Sequence, residues 1–201
     1  MAISLKKGEK FNLSKKGDGL GEILINLNWN ARPKNQGFLS RMLSSFSSGI
    51  DLDLGCLYEL NNGEKGIIQA LGKAFGSYRE SPYIALDGDD RTGAVETGEN
   101  LRINGNKIAE IKRVIVFTYI YDGAVNWHQA DATVTIQYPG ADDLILKMDN
   151  YNSEERMCAL AIFVNQNNQT FSVEKLMNFY TGHKQLDEVY HWGLQWAKGH
   201  K

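Results

Sequence analysis

The chain has 201 residues, 42% of them hydrophobic, and a formal net charge of −2. That length supports a sizeable core, and so small a charge leaves no electrostatic footprint for nucleic acid or an anionic membrane. No apolar run approaches the ~18 residues of a membrane helix, so membrane insertion is not expected. The opening Met1-Ala-Ile-Ser-Leu-Lys-Lys7 carries early charges in place of a secretory apolar stretch, which points to the cytoplasm. Cys56 and Cys158 are too few and too far apart for a disulfide framework or a cysteine zinc site, and their apolar surroundings predict small buried hydrophobes.

Taken in order, Ile3-Ser-Leu and Phe11-Asn-Leu alternate on either side of Gly8 and predict an opening hairpin. In Glu22 to Trp29, Ile23, Ile25 and Leu27 share one face and Trp29 continues it, the pattern of a half-buried strand. Periodicity is lost over 30–49, where Pro, Gly and Ser surround Phe38, Leu39, Met42, Leu43 and Phe46. This reads as an irregular insertion, either holding one docked helical turn or forming a surface loop. Leu52 to Leu60 is a strand, and Asn62-Gly63 predicts a tight return into Gly66-Ile-Ile-Gln-Ala70.

An acidic, glycine-rich segment follows from Tyr83 to Asn100, and Lys107 to Lys112 has the length of one helical turn. Val114 to Tyr121 is apolar on both faces, as a central strand of a sandwich should be. Alternating segments at Ala132–Tyr138, Asp143–Met148, Met157–Val164 and Thr170–Phe179 come next. Leu186, Val189 and Tyr190 have helical spacing, and a last strand is expected to hold Trp192, Leu194 and Trp196. About ten short, mainly antiparallel strands with one short C-terminal helix predict an all-β sandwich, and no linker-like shift divides 1–201.

The residues with the clearest chemistry are carboxylates. Asp51 and Asp53 lie two apart on an incoming strand; Asp87, Asp89 and Asp90 form a glycine-spaced turn; Glu99 and Asn100 open the next strand. Calcium takes six to eight oxygens from carboxylates, amides and backbone carbonyls, and short Asp side chains on pliable loops suit it. The same residues are also ordinary turn formers. His183 and His191 are too far apart for a one-turn zinc pair, so the histidines read as surface or packing residues. There is no serine elbow, phosphate loop or dinucleotide fingerprint. The four tryptophans read as packing residues.

Together these pieces resemble the TerD family of bacterial tellurite-resistance and stress proteins. The resemblance rests on Ile3-Ser-Leu-Lys-Lys-Gly8, Leu27-Asn-Trp-Asn-Ala-Arg32, Ile50-Asp-Leu-Asp-Leu-Gly55, Leu86-Asp-Gly-Asp-Asp-Arg-Thr-Gly93, Gly98-Glu-Asn-Leu101 and Asn126-Trp-His-Gln129. The tail, Gly182-His-Lys-Gln-Leu-Asp187 and Trp192-Gly-Leu-Gln-Trp196, is similar to the TerA branch of that family.

The resemblance implies a β-sandwich, no established enzymatic activity, and calcium held by acidic loops. It also implies partners among other proteins of the same stress-response system. Asp51 and Asp53 match the family's Phe-Asp-Leu-Asp motif, with Ile50 replacing Phe, and Asn30 stands where an acid commonly follows the early Trp. Over Gly98 to Glu110 the family's Asp-Asp pair is replaced by Ile108 and Ala109, while Arg102 and Lys107 add positive charge. Fewer ions than in TerD-type members are therefore implied. The preferred expectation is a non-enzymatic binding or scaffold protein with Asp51, Asp53, Asp87, Asp89, Asp90, Glu99 and Asn100 as candidate calcium ligands. An interaction module with a vestigial ion site is the alternative, with the 30–49 insertion docking a partner. A metal-assisted hydrolase using the same carboxylates comes third.

Overall fold

A computed structural model describes residues 2–15, 19–29, 50–87, 98–123, 125–148 and 151–197. Thirteen strands are found among them, three more than about ten, because short edge strands fall below what alternation can reveal. They are β1 (Ile3–Ser4), β2 (Lys10–Asn12), β3 (Glu22–Asn28), β4 (Asp51–Leu60), β5 (Lys65–Gln69), β6 (Gly76–Ser77) and β7 (Ile84–Leu86). β8 (Glu99–Asn104), β9 (Ile111–Asp122), β10 (Thr133–Gln137), β11 (Leu144–Lys147), β12 (Met157–Gln166) and β13 (Thr170–Tyr180) complete the set. One helical turn, α1 (Trp127–Ala130), and an eight-residue helix, α2 (His183–Tyr190), are added to these.

The strands form a seven-stranded sheet, ordered β1-β11-β10-β3-β8-β7-β6, and a six-stranded sheet, ordered β2-β13-β12-β9-β4-β5. The fold is all-β, with a short C-terminal helix. Every described strand pairing is antiparallel except β1 with β11. The predicted opening hairpin is therefore wrong: β1 joins one sheet and β2, on β13, joins the other. Gly8 lies between two sheets, where the same alternation serves different partners. The return at Asn62-Gly63 is correct, with β4 and β5 paired and Gly63 in the left-handed region.

Alternation decides what each sheet buries. Ile23, Ile25 and Leu27 of β3, Leu101 and Ile103 of β8, and Leu52, Leu54 and Cys56 of β4 belong to one core between the sheets. Both cysteines are fully buried, and burial pushes their thiols above the ordinary range. The six-stranded sheet has a second apolar face, built from Leu57 of β4, Ile115, Phe117 and Tyr119 of β9, and Met157 and Ala159 of β12. This explains why β9 is apolar on both sides: the second face is covered by Leu186 of α2 and by Trp192.

Gly55 makes the second face possible. A Cβ there would come within 2.7 Å of both the Ile68 carbonyl and the Phe117 ring. Gly55→Ala is expected to cost about 1–3 kcal/mol through overpacking, read as a lower urea midpoint.

The tail departs from expectation. Residues 191–197 follow α2 as an extended strap outside the sheets, where a last strand was predicted. The Gly193 and Leu194 amides bond to the Asp187 carboxylate and not to a neighbouring strand. Val189 is 50% exposed although its spacing suggested a core position, because α2 is short and seats Leu186 and Asp187 instead. The expected turn over Lys107–Lys112 is a 3-10 turn at Gly105–Lys107, after which β9 begins at Ile111. The insertion at 30–49 lies outside the described residues.

No described helix is long and apolar enough to cross a membrane.

Candidate functional site

Asp51 and Asp53 open β4, and both are buried, at 7% and 0% exposure. Their neighbours Leu52 and Leu54 point into the intersheet core, so the two carboxylates belong to the opposite, α2-covered side of the strand. Asp53 pairs in register with Tyr119, and Asp51 pairs with Asp122 beyond a register shift. Burial first, and then the negative charge of Asp53 and more weakly Asp51, raise the Tyr119 phenol far above its ordinary pKa.

Glu99 arrives from the other sheet. It is 2% exposed on the inward side of β8, with Leu101 and Ile103. Its Oε2 accepts a 2.6 Å hydrogen bond from the Leu54 amide, the backbone group directly after Asp53. β4 is not yet paired with β5 at Leu54, so the carboxylate serves an amide that the sheet leaves without a ladder partner.

The other described candidates lie elsewhere. Asn100 and Arg102 occupy the outward side of β8, and Asn100 Oδ1 accepts from Asn26 Nδ2 at 2.9 Å. Asp87 sits beside them and is gripped by Arg102, whose Nε lies 2.9 and 2.8 Å from its two oxygens. The same guanidinium reaches Glu22 at 2.6 Å. Asp87 thus serves an ion pair on the outside of the seven-stranded sheet. Asp89 and Asp90 lie outside the described residues. Ile108, at the position of a family acid, is buried in the intersheet core.

The structure therefore brings Asp51, Asp53 and Glu99 to one end of β4 and separates them from Asp87 and Asn100. Among the described residues, no group of three or more His, Cys, Asp or Glu side chains converges on one point. Asp51 and Asp53 nonetheless fit a hard cation by donor chemistry, being two buried all-oxygen ligands on one strand. A complete shell of six to eight oxygens would require carbonyls, water or further side chains besides these two.

Two residues beside this site carry more of the structure than their sequence context suggested. His183, the first residue of α2, packs edge-on against Phe117 and Tyr119, with centroids at 5.3 and 5.2 Å, and meets Trp196 at 5.3 Å. Its Nε2 is buried with no hydrogen-bond partner among the described residues, and burial lowers its pKa to about 4. The packing role expected for the histidines is correct here. Asp187, which reads in sequence as one more polar helix residue, accepts from the Gly193 amide (2.6 Å), the Leu194 amide (2.8 Å) and Trp196 Nε1 (2.7 Å). Trp192 is held separately: Arg113 stacks 3.8 Å from its ring, Lys65 donates to its carbonyl, and its Nε1 donates to the Tyr58 carbonyl.

Comparison with known proteins agrees with this architecture. The TerD domain family matches residues 1–138. The chain is 38% identical over 200 residues to the tellurium resistance protein TerA of Alcaligenes sp, covering 99% of this chain and 58% of that protein. It is 30% identical over 129 residues to the stress response protein SCP2 of Bacillus subtilis, covering 61% of this chain and 62% of that one. The chain thus spans only 58% and 62% of the length of these relatives.

Among solved structures, a homologue of telluride resistance protein (TerD), SCO6318 from Streptomyces coelicolor, superposes with a TM-score of 0.57 at 15% identity. That match covers 84% of this chain and 95% of the other. SAV2460, a protein of unknown function, gives 0.59 at 14% identity, covering 89% and 100%. At such identities the likeness is one of fold. The family match and the relatives together establish that this chain belongs to the TerD family of tellurium-resistance and stress-response proteins.

Proposed function

We propose that the chain is a non-catalytic, cytoplasmic binding or scaffold protein of a tellurium-resistance stress response, and that it holds calcium at Asp51 and Asp53. The observation that carries this reading is the burial of both carboxylates side by side on β4. Two negative charges held that close and away from water raise each other's cost, and a divalent cation relieves it. Its partners are other proteins of the same stress response, engaged without nucleic acid or membrane insertion.

Asp87 and Asn100 are not used in this reading, because each already serves a side chain on the other sheet. The ion count is therefore low, in keeping with Ile108 and Ala109 at the family's acidic positions. The test is calorimetric titration of chelator-treated protein with calcium, together with a melting curve. Binding heat and a raised melting temperature are expected, since a ligand bound only by the folded state stabilises it. Neither effect at millimolar calcium would remove the cation.

A second reading, an interaction module with a vestigial ion site, is favoured by the Arg102 pairing that draws Asp87 away from β4. Loss of the protein's partners on deleting 30–49, together with no calcium binding by the full chain, would favour it.

A further inference from the structure

Three rings enclose His183: Phe117 and Tyr119 of β9, and Trp196 of the strap. Its Nε2 is buried with no hydrogen-bond partner among the described residues, so nothing there would solvate a second proton. An imidazolium in that slot must reach water, and its covers differ in how firmly they are held. β9 is paired along both edges, with β4 and with β12. α2 is fixed by the buried Leu186 and by Arg113, which donates to the Tyr190 and His191 carbonyls. Residues 193–197 have no strand partner among the described residues, and Asp187 holds them through two amides and the Trp196 indole. Trp192, just before them, is anchored separately by Arg113, Lys65 and the Tyr58 carbonyl. Gly193 joins the anchored part to the rest, at φ 76° with open space where a Cβ would stand, and glycine turns at such a point most freely.

We propose that His183 is the pin of an acid-operated latch: on its protonation Trp196 lifts away and residues 194–197 swing about Gly193, while Trp192 and α2 stay seated. No metal enters this device. Of the groups around His183, Phe117 and Trp196 do not titrate, and burial keeps the Tyr119 phenol neutral far above the window concerned. Asp53 lies across from Tyr119 on β4, and Lys184, on α2, is exposed and near Glu188. Asp187, one turn along α2, is turned to the strap. Burial is what keeps the imidazole neutral while the latch is closed, at a pKa of about 4. Lifting Trp196 removes that burial and restores an ordinary imidazole, titrating near 6.5. Protons therefore favour the open form as pH falls below about 6.5 and leave the closed form undisturbed above it. The two values make the open fraction about thirtyfold larger at pH 5 than at pH 7.5.

Hydrogen exchange of the full chain, measured in chelator and corrected for the intrinsic effect of pH, tests the latch. Protection of the Leu194 amide and the Trp196 indole N–H should fall about thirtyfold from pH 7.5 to 5, while the Trp192 indole N–H keeps its protection. Equal losses at both tryptophans would mean that the whole tail unfolds, and no loss at either would mean that the slot never opens to a proton. Each result overturns the proposal. In His183→Phe the protection of Leu194 should no longer depend on pH; a loss persisting there would assign the release to Asp187 and remove His183 from the device. Trp196→Ala tests the cover without touching either sheet. In that variant the His183 imidazole, followed by NMR, should titrate near its ordinary value of about 6.5. A titration unchanged from the parent protein would show that Trp196 does not hold the slot shut, and would also overturn the latch.

Discussion

Phe117→Ala is expected to destabilise the protein by about 3–5 kcal/mol, the cost of deleting a fully buried aromatic ring that its surroundings cannot replace. Phe117 lies on the second face of the six-stranded sheet with no measurable exposure. It sits over Gly55, where even a Cβ would collide with it, and its ring meets His183 edge-on. Collapse into the vacated space is restricted from below, because β9 is held between β12 and β4. From above, α2 is held through Leu186 and through Asp187's bonds to the strap.

Urea unfolding followed by circular dichroism measures the loss. A change below about 1 kcal/mol would show that the α2-covered face is not a true second core. Exchange at α2 amides should also rise more than exchange at β3 or β8, which line the other core and do not touch this ring.

The second large effect is a loss of stability on mild acidification. His183 is held neutral by burial, with its pKa lowered to about 4, against an ordinary value of about 6.5. Between those values the unfolded chain binds a proton that the folded chain refuses, so stability rises with pH through the window. It is fully present above about pH 6.5 and is lost progressively as pH falls toward 4. The shift corresponds to an effect on the order of 3 kcal/mol.

Unfolding free energies of the protein and of His183→Phe, measured from pH 7.5 to 4, should differ by an amount that changes through the window, the protein losing stability on acidification that the variant keeps. Parallel profiles would refute the assignment. Glu59 acts in a different range. Burial alone would raise its pKa, but hydrogen bonds from Lys112 and Arg113 outweigh burial and hold it below the ordinary carboxylate value. Its contribution is present above the ordinary carboxylate range and is lost as pH falls through and below it.

Pattern alone went far toward the architecture. The period of two in Ile23, Ile25 and Leu27, the two-sided apolar run at Val114–Tyr121 and the Asn62-Gly63 return each reflect local chemistry. Strand faces and tight turns follow from residues close in the chain, so those expectations survive folding. The candidate carboxylates were legible in the same way, as residue types at strand ends. Asp51 and Asp53 share one side of β4 because side chains two apart on any strand do.

What no local pattern contains is the identity of a partner far along the chain. β1 and β2 look like one hairpin, yet Leu144 and Val173, more than a hundred residues away, supply their neighbours. Asp87 reads as one more ligand until Arg102 is placed beside it by the pairing of β7 with β8. Trp192–Trp196 looks like a strand because it alternates, but Asp187 and Lys65 take up its backbone polar groups before a sheet edge can. The opening carboxylates changed least in membership and most in setting. By itself the sequence determined that Asp51 and Asp53 stand together, since that is a property of one strand. Only the tertiary structure decided that Tyr119 stands opposite Asp53 and that His183, itself against Trp196, packs on the same tyrosine ring, because strand register and the seat of α2 bring together residues far apart in the chain.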